Sequence, residues 1–115
     1  MKVSEAISKA RKLIDDTDET DWTDADLLVW YNDGVVHIRS LRPDTRIDTD
    51  TTEITYAAAT TPATDDMIFA EPEKWVIAIA EYIASKAFDE DRGDKRDAAR
   101  AAMHWEAYSR YIATL

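Results

Sequence analysis

The chain contains no cysteine. That excludes disulfides, thiolate-held metals and cysteine nucleophiles. Glycine occurs only twice, at Gly34 and Gly93, too sparsely for a glycine-rich loop that cradles phosphate. The two histidines, His37 and His104, belong to no spaced metal motif. Ser4, Ser8, Ser40, Ser85 and Ser109 lack any nucleophile-elbow context. No apolar run approaches the roughly 20 residues that span a bilayer. The opening Met1-Lys2-Val3-Ser4-Glu5 turns polar at once and carries no signal-peptide core. A protein made in the cytoplasm, without a membrane partner, is the expectation.

Basic charge is also scarce. Fourteen Lys and Arg face 24 Asp and Glu, for a net charge of -10 and a pI near 4.5. Nucleic-acid binding needs cations that displace counterions from phosphate, so free binding is disfavoured. An acidic surface suits plain solubility, a basic protein partner, or a surface that must not retain DNA.

What is present is a capacity to build a core. The 115 residues fit one domain and are 45% hydrophobic, with four Trp and five Tyr. A domain of this size buries only about 60–70% of its unfolded surface, so contacts with neighbours matter.

The spacing predicts four helices, at about 4–15, 24–42, 72–88 and 95–113. In the first, Val3, Ala6, Ile7, Ala10, Leu13 and Ile14 recur at helical period. Lys9, Arg11 and Lys12 lie toward its end, where the helix dipole favours cations. An acidic linker, Asp16 to Asp21, follows. Thr23 is the expected N-cap of the second helix, with Asp26 three residues on and Trp22 and Leu27 placed as a hydrophobic staple. Its apolar face runs through Leu28, Tyr31, Val35, Ile38 and Leu41 to a stop at Pro43. Asn32-Asp33-Gly34 also spells a hairpin turn. The unbroken helical period argues against that turn. Gly34 in mid-helix costs about 1 kcal/mol relative to Ala, which makes sense if another helix crosses close to the backbone there.

Residues 44–70 change character. Thr52, Ile54 and Tyr56 alternate with Glu53 and Thr55, and Met67, Ile68 and Phe69 form a second short extended run. The expectation is a β-hairpin-like arm, carried by Ile54, Tyr56, Met67 and Phe69. A lone hairpin is marginal in water, so the arm would pair with another subunit. Pro72 opens the third helix. Asp94 is placed to cap the fourth, whose many alanines permit close helix approach. The predicted fold is mainly α: an antiparallel bundle of about four helices, with this arm inserted between the second and third.

The acidic turn Asp89-Glu90-Asp91-Arg92-Gly93-Asp94 offers oxygens for a cation loop but lacks the spacing. Counted from Asp89, its fifth residue is Gly93, where an EF-hand places Asp or Asn, so the pattern fails. No metal, cofactor or catalytic residue is predicted. Among the tryptophans, Trp22, Trp75 and Trp105 fit core positions. Trp30, with Val29 and Val36, widens the apolar face beyond one stripe, which points to a second contact surface.

One resemblance covers nearly the whole chain. Trp22-Thr23-Asp24-Ala25-Asp26-Leu27-Leu28-Val29-Trp30-Tyr31-Asn32-Asp33-Gly34, then Ile38-Arg39-Ser40-Leu41-Arg42-Pro43-Asp44, resembles tailed-phage head–tail adaptor (connector) proteins. Glu71-Pro72-Glu73-Lys74-Trp75 and the alanine-rich, aromatic stretch Ala98 to Tyr111 are similar to that family's third and last helices. The middle departs from it, with Tyr56-Ala57-Ala58-Ala59-Thr60 where members often carry a Gly-Thr-Gln-like turn. The resemblance implies a structural virion protein of the neck, without catalysis. It would form a homo-oligomeric ring, about twelve-fold like the portal. That ring would bind the portal protein, extend the channel through which genomic DNA passes, and offer a docking face to a tail or stopper protein. Interface candidates under this reading are Trp30, Val36, Trp105, Tyr108 and Tyr111. Asp18, Glu19, Asp89 and Asp91 are candidates for an acidic lumen. The alternative is a small acidic regulatory module that binds a basic protein. It needs carboxylates along one exposed face, whereas these cluster in linkers and caps. A helical enzyme domain lacks any catalytic grouping.

Overall fold

A computed structural model describes residues 1–16, 22–90 and 95–115. The chain is a mainly helical bundle of four α-helices: α1 (Val3–Leu13), α2 (Asp24–Leu41), α3 (Pro72–Glu90) and α4 (Lys95–Thr114). Consecutive helices run antiparallel. His37 of α2 and its C-cap residue Arg42 meet Tyr108 and Ile112 of α4 in ascending order, so α2 and α4 run the same way. Helix α3 is the hub and packs against each of the others, most extensively against α4. The Cα trace measures 46 × 29 × 17 Å, a slab about two helix layers thick.

Local sequence explains the helix ends. At the end of α1, Asp15 takes a left-handed φ of 55°. Asp15 N–H then bonds the Lys12 carbonyl and Asp16 N–H the Arg11 carbonyl, the pairing of a Schellman stop. Helix α2 begins with a capping box: Thr23 accepts from Asp26 N–H, and Asp26 accepts from Thr23 N–H. Arg11, expected at a solvated helix end, is buried instead. It bonds Asp16 at 3.1 Å, Asp24 at 2.6 Å and the Trp22 carbonyl at 3.0 Å, which ties α1 to the start of α2.

Gly34 is where α3 crosses α2. A Cβ there would lie 2.8 Å from Tyr82 Cδ1 and 3.4 Å from Ile79 Cδ1. The missing side chain is the notch that admits the Tyr82 ring, so the helix-propensity cost is offset by close packing.

The expected β-hairpin arm is not there. Within the described part of 44–70 the structure holds a 3-10 turn at Pro43–Arg46 and isolated bridges only, Ile47 with Glu53 and Lys2 with Asp66. The segment folds back on its own subunit. Arg39 donates to the carbonyls of Ile54 at 2.5 Å and Ile68 at 3.0 Å. Asn32 clamps Ala59 from both sides, accepting from its N–H at 2.8 Å and donating to its carbonyl at 3.1 Å. The carbonyls of Pro62 and Asp65 receive the first N–H groups of α1. Met67 and Phe69, expected on the arm, are core residues, and Phe69 lies 6.4 Å from Trp75. Ile54 is half-buried, and Tyr56 alone among the four is exposed. Alternating β-branched residues favour extended backbone, but α2 side chains and the N-terminus satisfy that backbone here, so no second strand is needed.

Candidate functional site

Helices α2 and α4 stand apart over α3, and the groove between them gathers Tyr82, Trp105 and Tyr108 around His37. Its floor is Tyr82, seated in the Gly34 notch. Tyr108 meets Tyr82 edge-on, with ring centroids 5.1 Å apart. Trp105 lies 5.2 Å from Tyr108 and 6.1 Å from Tyr82. His37 closes the set from α2, within 5.5–5.8 Å of all three rings. Lys86 places its ammonium 5.4 Å over Tyr82 and 5.5 Å over Trp105, within cation–π range.

The polar atoms of this cluster are matched. His37 Nδ1 is hydrogen-bonded to the Tyr108 hydroxyl. Burial pushes the Tyr108 hydroxyl up, with Tyr82 adding to the effect, so it keeps its proton. Burial, and secondarily Lys86, pushes the His37 imidazole below its ordinary value. A neutral His37 with Tyr108 donating to Nδ1 satisfies both directions. The stability linked to His37 is therefore complete above the ordinary histidine range and lost as pH falls through the lowered folded value. Between pH 7 and 5, wild type should lose more thermal stability than His37→Gln. Equal losses in melts at matched pH would remove His37 from the seam.

Two open cavities flank Trp105, one between α3 and α4 and the other between α2 and α4. One, about 340 Å³, is lined by Ser85, Lys86, Asp89, Ala101 and Trp105, among others. The other, about 290 Å³, is lined by His37, Leu41, Trp105, Tyr108, Ser109 and Ile112. Trp105 is 41% exposed and Leu41 52% exposed. Arg42 holds the far end. It forks onto Asp44 at 3.0 Å through two nitrogens, donates to the Ile112 carbonyl at 2.7 Å and stacks 5.1 Å from Trp75. That fork also draws the Asp44 carboxyl below the usual carboxylate range.

The interface candidates divide. Trp105 and Val36 are exposed, and Trp30 and Tyr111 are half-buried against the core. Tyr108 is a correction: at 1% exposure it is a core residue, turned inward by the hydrogen bond to His37. Leu41 and Lys86 belong to the groove and were missed. Leu41 reads from periodicity as core, and nothing in the sequence ties Lys86 to two rings. Asp89 is exposed and lines one cavity, while Asp18, Glu19 and Asp91 lie outside the described residues. Among the described residues no cluster of three His, Asp or Glu side chains is arranged to hold a metal. No helix is long and apolar enough to cross a membrane. No family model matches the chain, and no curated protein or solved structure shows significant similarity to it.

Proposed function

We propose that the protein is a structural subunit of the tailed-phage neck, an adaptor that forms a ring beneath the portal and presents a docking face to the tail. The reading rests on the resemblance of residues 22–44 and 71–75 to connector proteins. The single structural observation in its favour is the α2–α4 groove. It presents a large exposed indole held in place by three other rings and an ammonium. An ordered, half-exposed Trp beside apolar cavities is the usual form of an interface anchor. No reaction is assigned to it. The net charge of -10 would let DNA pass the ring without sticking.

Negative-stain microscopy of the protein mixed with purified portal tests this directly. Extra density capping the portal ring is the expected result, and bare portals would overturn the reading. Trp105→Ala should weaken portal pull-down by roughly tenfold or more, the scale of an anchor residue, while circular dichroism shows the helices intact. Unchanged capture by a folded variant would remove Trp105 as the anchor.

A further inference from the structure

Two helix faces outside the groove carry the most exposed large apolar side chains. On α2 these are Val29, 58% exposed, and Val36, 50% exposed. They stand seven residues apart on the side of α2 opposite Leu27, Tyr31 and Ile38. On α4 it is Met103, 57% exposed, on the side opposite the core residues Ala101 and Tyr108. Both faces are flanked by exposed small residues, Ala25 on α2 and Ala99 and Ala102 on α4, which let a second helix approach closely.

The two faces differ in charge. Helix α2 exposes Asp26 and Asp33, and its one cation, Arg39, is buried under the Ile54 and Ile68 carbonyls. The sequence of helix α4 has four Lys or Arg and two acids; Arg100 and Arg110 are exposed, with Glu106 exposed between them and Arg100 3.5 Å from Asp97. Two α2 faces would set aspartates against each other, and two α4 faces would set cations together. An α2 face against an α4 face places opposite charges around a shared apolar strip. Helix α1 competes less: its solvent face is Glu5, Ser8, Lys9 and Lys12, with one large apolar side chain, Leu13, 37% exposed at the helix end.

We infer that copies of this chain associate head to tail, the Val29–Val36 face of α2 in one packing on the Met103 face of α4 in the next. The contact joins two different surfaces of one chain, so it propagates into a ring or an open filament rather than stopping at a dimer. It deepens the adaptor reading and rests on it only for closure around a portal.

The absence of cysteine makes site-directed cross-linking clean. Val36→Cys protein is mixed with Met103→Cys protein and treated with a short bis-maleimide, with and without portal. Lys9→Cys, on the polar face of α1, serves as the control. The 36–103 product should form at least about fivefold faster than 36–36, 103–103 or 9–103 products, because only held faces gain effective concentration. The chain carrying both cysteines should give a ladder of higher oligomers. Dominant 36–36 or 103–103 product, or no excess over the 9–103 control in either condition, overturns the inference. Cross-linking without portal density would retain the contact and remove the adaptor reading. Portal density with control-level cross-linking would do the reverse.

Discussion

Replacing Arg39 with Met should cost about 3–6 kcal/mol, since two hydrogen bonds from a charged donor are lost at about 1.5–3 kcal/mol each. Arg39 is 6% exposed on α2. Its guanidinium is the bond that draws both Ile54 and Ile68 carbonyls onto the helix. Met fills the stem volume but supplies no donor, leaving two carbonyls to find water. Residues 54–68 should then exchange amide hydrogens much faster than α3, even where the protein remains folded. The Ala59 amide, held by Asn32, is the most informative reporter. Urea unfolding gives the energy and hydrogen exchange gives the location. A loss under about 1 kcal/mol with unchanged exchange would mean that the segment is held by other contacts.

The second large effect belongs to Arg11. Its side chain is 6% exposed and that of its partner Asp16 is 1% exposed. Removing one partner of a buried ion pair leaves an uncompensated charge, at about 3–5 kcal/mol. Arg11→Met should therefore be far more damaging than its position among the solvated lysines of α1 suggests. Arg11→Met combined with Asp16→Leu should recover part of the loss, because no buried charge remains. Recovery stays incomplete because Trp22 N–H also bonds Asp16, at 3.1 Å. A double-mutant cycle in urea checks this. Strict additivity of the two losses would show that the pair is not coupled.

Both predictions concern residues whose importance is invisible in one dimension. Arg11 and Lys12 are adjacent cations on one amphipathic helix, and periodicity places both near its edge. Only the path of the chain from Asp15, turned left-handed at φ 55°, brings Asp16 and Asp24 around Arg11. Arg39 likewise reads as a basic residue in a last turn. Its role depends on carbonyls 15 and 29 residues away.

The features legible from sequence are those decided within a turn or two of helix. Thr23 and Asp26 form their capping box because both partners lie three residues apart. Pro43 and Pro72 mark boundaries because their rings fix φ wherever they sit. Gly34 announced a close crossing, and Tyr82 fills it. The four-helix character follows from the same short-range periodicity. Tertiary structure alone decided the rest. The 44–70 segment has strand-like residues, but whether extended backbone pairs with a strand or with side chains depends on what lies opposite, here Arg39, Asn32 and the first turn of α1. The fate of Tyr108 and Trp105 shows the same limit. They stand three residues apart on one helix, yet one is buried against His37 and the other opens to solvent. Helical period fixes the angle between them, while the gap between α2 and α4 fixes which of the two faces water.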